Sequence, residues 1–214
     1  MLRFWKNSGT PGRRLGILPA AFNPVTVAHL EIARQARLEY RLDEVLFLLP
    51  LRLPHKEYTG ASLEQRLEML RAALAAEPQF SIGSTDQGLF VDIARECRPD
   101  YGRQAEFFFL CGRDAADRIA AWDYGEEIPF GEQLQQFQVL VAPREGPYVP
   151  PALGAGRMHP LRVSPGIAAV SSSAVRAAIA AGKAWAHLVP AGAAAVIRRD
   201  RLYGSGSGST EPRP

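Results

Sequence analysis

Four short runs with almost no polar residue govern what this chain can fold into: Leu15-Gly-Ile-Leu18, Val45-Leu-Phe-Leu-Leu49, Phe107-Phe-Phe-Leu110 and Gln138-Val-Leu-Val-Ala142. Each is too short for a helix and lacks the alternation of a half-exposed strand, so each reads as a strand buried on both faces. Phe80-Ser-Ile82 adds a shorter strand. Helical patterns fill the gaps. Val27 to Glu39 carries an apolar stripe of Leu30, Ala33 and Ala36. Ser62-Leu-Glu-Gln65 is a capping-box pattern that opens a helix to about Ala76. Asp114 to Ala121, Ser172 to Ala181 and Ala191 to about Arg199 complete the set. Buried strands alternating with helices predict an α/β fold: a doubly wound parallel sheet, with a small C-terminal helical portion from about residue 171. Ligands of such sheets bind at the carboxyl ends of the strands, where strand order reverses, so the segments just after strands matter most.

The rest of the chain bounds the partners. Its 214 residues suffice for one such domain. Residues 1–13 read as a flexible lead-in, 14–204 as the domain and 205–214 as a disordered Gly/Ser-rich tail. The net charge of +3 suits an anionic small molecule and is too weak and scattered to argue for nucleic acid. No stretch approaches the roughly 20 apolar residues of a membrane helix, and the basic segment Met1–Arg14 lacks the apolar core of a signal peptide. Cys97 and Cys111 form no disulfide framework, so a reduced, cytoplasmic setting is expected. Homo-oligomerisation stays open.

Four segments carry candidate chemistry. The first strand runs into Phe22-Asn23-Pro24-Val25-Thr26, then into a helix with His29 in its first turn. Helix N-termini attract anions, and Thr26 and His29 lie one turn apart, so both could face one phosphate; Asn23 and Thr26 could equally do no more than cap the helix. Arg52, His55 and Lys56 place positive charge after the next strand, as a phosphate site or a solvated loop. After the third comes Gly112-Arg113-Asp114, with Trp122 further on. There a close backbone approach, a ribose acceptor and a ring platform compete with a plain turn, an N-cap and a core tryptophan. Last, Ser171-Ser172-Ser173 opens a helix with Arg176 one turn on, more hydroxyls than a single cap uses. Two helix-end anion sites on one α/β scaffold suggest a polyphosphate held between them.

Together these residues resemble the nicotinate/nicotinamide mononucleotide adenylyltransferase family, a branch of the nucleotidyltransferases with a His-x-Gly-His motif. Phe22-Asn-Pro-Val-Thr-Val-Ala-His-Leu30 is similar to the family's first motif, and Pro54-His-Lys56 with Gln65-Arg66-Leu-Glu-Met69 to its bacterial branch. Phe109-Leu-Cys-Gly-Arg-Asp114 with Trp122 is similar to its Gly-x-Asp…Trp segment. Val170-Ser-Ser-Ser-Ala-Val-Arg176 resembles Ile-Ser-Ser-Thr-x-Ile-Arg, and the ending at Leu202-Tyr203 resembles the family's C-terminal helices. The chain departs from the pattern at Pro19-Ala20, where the family has Gly-Gly, and at Ala28, in place of the motif glycine. It departs again at Gln87–Ile93, where bacterial members have Ser-Tyr-Thr beside the acceptor ring.

The resemblance implies a Rossmann-like nucleotidyltransferase fold and transfer of AMP from ATP to nicotinate or nicotinamide mononucleotide, with release of pyrophosphate, in NAD biosynthesis. It implies Mg²⁺ bound through the ATP phosphates, with no metal held by the protein itself. His29, Thr26 and Arg176 would be the catalytic residues. Phe22, Asn23, Lys56, Gly112, Asp114, Ser172 and Ser173 would hold the nucleotide, and His55 and Trp122 the acceptor. Another phosphorylated acceptor, CTP as donor, or a nucleotide sensor without turnover are the alternatives.

Overall fold

The computed structural model describes residues 1–9, 12–51, 60–122, 124, 128–143 and 146–204. In chain order the strands are β1 (Arg3–Lys6), β2 (Arg14–Pro19), β3 (Glu44–Pro50), β4 (Phe80–Thr85), β5 (Glu106–Gly112), β6 (Gln138–Ala142) and β7 (Met158–Pro160). The helices are α1 (Val27–Tyr40), α2 (Leu63–Ala73), α3 (Phe90–Tyr101), α4 (Arg113–Ala120), α5 (Phe130–Gln133), α6 (Pro165–Ala168), α7 (Ser172–Ala180) and α8 (Ala191–Arg199). Two short 3₁₀ turns, Ala152–Gly154 and Ala186–Leu188, complete the elements.

All seven strands join one sheet in the order β1-β4-β3-β2-β5-β6-β7. Every pairing is parallel except β1 with β4. From β2 the chain winds outward through β3 to β4, then returns to the other side of β2 with β5. The order therefore reverses between β2 and β5, and a crevice opens at their carboxyl ends.

The apolar runs alternate between the two faces, as a period of two demands. Leu18, Phe47, Leu49, Phe108 and Leu110 meet α1, α2 and α8 on one side. Ile17, Leu48, Phe107 and Phe109 meet α3, α4 and α5 on the other. Both faces are covered, which is why these strands read as continuous apolar runs rather than alternating ones.

The N-terminus corrects the expected flexible lead-in. Arg3–Lys6 forms an edge strand antiparallel to β4, Trp5 donates to the Ser84 hydroxyl at 3.0 Å, and the Lys6 ammonium donates to three carbonyls. Four residues rich in Arg and Lys carry almost no periodic signal, so long-range pairing decided the outcome. The structure also adds α3, with Pro99 in its last turns. The 205–214 tail lies outside the described residues.

Candidate active site

The turn between β2 and α1 lies at the carboxyl end of β2 and is bonded at three of its carbonyls. The Arg66 guanidinium donates to Ala21 C=O (3.2 Å), Arg176 to Asn23 C=O (2.6 Å), and the Ser172 hydroxyl to Pro24 C=O (2.8 Å). These donors come from α2 and α7, so the turn is assembled by residues distant in sequence. Phe22 sits at φ 45°, a left-handed conformation, with its ring 1% exposed against Phe47 and, edge-on, against the His29 ring at 5.2 Å. The side chain of Phe22 is therefore core and a support for the imidazole, and not a surface offered to a nucleotide.

Thr26 is the N-cap of α1 and His29 its third residue, and the two form a reciprocal capping box. The third position is usually Glu or Gln; here a histidine ring nitrogen takes that part. The Thr26 backbone N–H donates to His29 Nδ1 at 3.0 Å, and the Thr26 hydroxyl lies 2.8 Å from the same nitrogen. A backbone N–H can only donate, so Nδ1 is the acceptor and the neutral ring carries its proton on Nε2. Thr26 itself is fully buried. The expected phosphate contact of its hydroxyl is replaced by a role one step back: it fixes the tautomer and plane of His29.

Asn23 is corrected in the same way. Its side chain is buried, and Oδ1 accepts from the Tyr203 hydroxyl (2.7 Å) and from the Ala61 N–H (3.3 Å). Its amide is buried inside the turn, and its oxygen ties the turn to Tyr203 and Ala61.

The other helix end lies against this turn. Ser171 caps α7 through the Ala174 N–H. Ser172 ties α7 to Pro24, and Ser173 and Arg176 share a long contact of 3.4 Å while Arg176 also holds Asn23. Neither α1 nor α7 has an acidic residue in its first turn, so neither helix offsets its own positive end. Two helix N-termini, the His29 imidazole, exposed Ser173 and a half-buried guanidinium meet around the turn after β2. This arrangement suits the oxygens of a polyphosphate.

Across the switch point, Gly112 ends β5 and caps α4 with ordinary extended torsions, and Asp114 is exposed in the first turn of α4. Trp122 lies beyond the far end of α4, 39% exposed, so it is not the core tryptophan that a buried reading would require. The structure thus joins Asn23, Thr26, His29, Ser172, Ser173 and Arg176, and sets Gly112 at the end of the neighbouring strand with Asp114 in the helix that follows. Arg52, His55 and Lys56 lie outside the described residues. Pro19 continues β2, and the Ala20 N–H donates to Leu48 C=O at 3.1 Å. Where the family pattern has two glycines, this chain spends its backbone on pairing with β3. Cys111, at the end of β5, is buried and its thiol is pushed up to about 12 by desolvation, which leaves no thiolate nucleophile there at neutral pH.

Two residues of this network were not singled out as site residues from sequence. Arg66 is 4% exposed and falls on the face of α2 that also carries Leu70, and a cation on an apolar stripe was the available signal. Tyr203 stood out only in the resemblance of the chain's ending, and its pairing with Asn23, 180 positions away, left no mark in the sequence.

Residues 17–178 match a family described as cytidylyltransferase-like. Among curated relatives, the "Probable nicotinate-nucleotide adenylyltransferase" of Citrifermentans bemidjiense is 30% identical, over 89% of this chain and 98% of the relative. That of Exiguobacterium sibiricum is 31% identical with the same coverage. The fold is also that of Plasmodium falciparum nicotinic acid mononucleotide adenylyltransferase, solved as a complex with NaAD, at 15% identity. The TM-score is 0.70, over 89% of this chain and 97% of that one. The chain belongs to the nicotinate/nicotinamide mononucleotide adenylyltransferase family, within the cytidylyltransferase-like nucleotidyltransferases. It is a nucleotidyltransferase.

Proposed function

We propose that this enzyme transfers AMP from ATP to the phosphate of nicotinate mononucleotide, forming the dinucleotide and releasing pyrophosphate. The observation that carries the reading is the convergence of the α1 and α7 N-termini, with His29 and Arg176, on one side of the β2/β5 switch point. The acceptor is supported by relatives named for it over nearly the whole chain.

An acceptor phosphate oxygen attacks the α-phosphorus and the bond to the β-phosphate bridging oxygen breaks. The acceptor is ionised at neutral pH, so positioning and charge stabilisation supply the catalysis. His29 donates from Nε2 to an α-phosphate oxygen. Ser173 and Arg176, with the α7 N-terminus, hold the β- and γ-phosphates as these become pyrophosphate. Gly112 and Asp114, across the switch point, contact the nucleoside. Lys56 neutralises phosphate, and His55 and Trp122 bind the acceptor. The cradle offers hydroxyls, N–H groups and cations; it therefore suits Mg²⁺ that arrives on the triphosphate, where the metal supplies charge neutralisation through phosphate and water oxygens.

A different phosphorylated acceptor has one observation in its favour. Where bacterial members have Ser-Tyr-Thr, Phe90 opens α3 and stacks on Phe109 in the core at 4.2 Å. A matrix of ATP and CTP against nicotinate, nicotinamide and other mononucleotides, read by pyrophosphate release, tests the assignment. ATP with nicotinate mononucleotide should give the highest kcat/KM. A different preferred acceptor would keep the chemistry and replace the substrate, and no release with any pair would sink the reaction.

Arg176→Ala removes both a phosphate contact and the bond to Asn23 C=O. The KM for ATP should rise at least about tenfold, since a hydrogen bond to a charged group contributes roughly 1.5–3 kcal/mol. The thermal midpoint should fall by only about 5 °C, because the residue is half-buried and the turn keeps its other donors. Unchanged kinetics with a large loss of stability would make Arg176 purely structural.

A further inference from the structure

We propose that Tyr203 is a positioning residue, which sets the β2–α1 turn, and through it the Thr26–His29 pair, from the far end of the chain. The inference rests on the reading of His29 given above. Three observations carry it. The Tyr203 hydroxyl donates to Asn23 Oδ1 at 2.7 Å, and the ring is 7% exposed within the core on that face of the sheet. Arg201 (φ 52°) and Tyr203 (φ 64°) both hold left-handed torsions, costly for residues with a side chain and maintained only where surrounding contacts compensate. Gly60 packs so close that a Cβ there would meet the Tyr203 ring at 3.1 Å and the Asn23 amide at 3.3 Å. The turn after α8 thus brings one hydroxyl to one amide.

The consequence follows the chain. Asn23 Oδ1 accepts from Tyr203 and Ala61, and its C=O from Arg176. These bonds hold Asn23 on both its side chain and its backbone. Three residues on, the Thr26 N–H points at His29 Nδ1, which sets the tautomer and the plane of the ring. Burial raises the Tyr203 phenol above its ordinary value, so it remains an O–H donor throughout the neutral range. One hydroxyl thus links the end of α8 to the orientation of the catalytic imidazole.

Tyr203→Phe keeps the ring and removes only the hydroxyl. On the full-length protein it should lower kcat by roughly tenfold, the size of one hydrogen bond acting through geometry, with the KM for ATP within about twofold of wild type. In a His29→Ala background the same change should cost less than about twofold, because the group it positions is gone. A second readout needs no substrate: ring-¹⁵N NMR of His29, assigned with His29→Gln, should show the Nε2–H tautomer in the wild type and a mixed population in Tyr203→Phe. Unaltered His29 signals, or a cost that multiplies fully in the double mutant, would overturn the proposal. A chain inactive with every acceptor, yet with shifted His29 signals in Tyr203→Phe, would instead sink the proposed reaction and leave this coupling standing.

Discussion

His29→Ala is expected to lower kcat and kcat/KM together by about a hundred- to a thousandfold, or roughly 2.7–4 kcal/mol, the loss typical of one donor aimed at developing charge. ATP should still bind almost normally in a calorimeter, since the two helix ends and Arg176 remain. The structure adds a second loss to this variant: His29 Nδ1 is also the acceptor that completes the N-cap of α1. Removing a cap costs about 1 kcal/mol, so the midpoint should drop by a few degrees for a reason unrelated to catalysis. His29→Gln separates the two, because glutamine at the third helical position restores a capping box. It should recover the midpoint and stay at least about tenfold slow. If His29→Ala keeps most of the wild-type kcat, the imidazole is a cap and no more.

Phe109→Ala should be a severely damaging core change. Phe109 is fully buried in β5, stacked on Phe90 at 4.2 Å with 9° between the rings, and met edge-on by Phe137 at 5.0 Å. Aromatic truncations of this kind cost about 3–5 kcal/mol, as lost transfer energy plus the cavity left behind. At this size the midpoint should fall by about 10 °C. Thermal unfolding followed by circular dichroism gives the number directly. A loss below about 1 kcal/mol would mean that α3 collapses onto the gap and that the stacked pair carries little. The same pair anchors Gln87–Ile93, so acceptor preference should be remeasured in any variant that survives.

The sequence made the central strands plain because parallel strands buried on both faces leave continuous apolar runs, as Val45–Leu49 and Phe107–Leu110 do. It made the two helix starts beside the turn plain because serines, threonine and histidine at a helix start are chemically specific. It hid the edge strand Arg3–Lys6, whose pairing with β4 depends on residues some 80 positions away. It also blurred roles inside the site. Thr26 and Asn23 are motif residues, yet their side chains face inward: one holds the His29 ring and the other accepts from Tyr203. A motif marks which residues build a site; only the folded contacts divide those that meet a phosphate from those that aim them.

The central claim is a transfer of AMP onto an acceptor phosphate, and isotope placement tests it most directly. The enzyme would be incubated with Mg²⁺, nicotinate mononucleotide and ATP carrying one label on the α-phosphorus and another on the γ-phosphorus. The account predicts the α-label in a dinucleotide, the γ-label in pyrophosphate, and the two products in equal amounts. The γ-label on the acceptor, or as free inorganic phosphate with no dinucleotide, would contradict it.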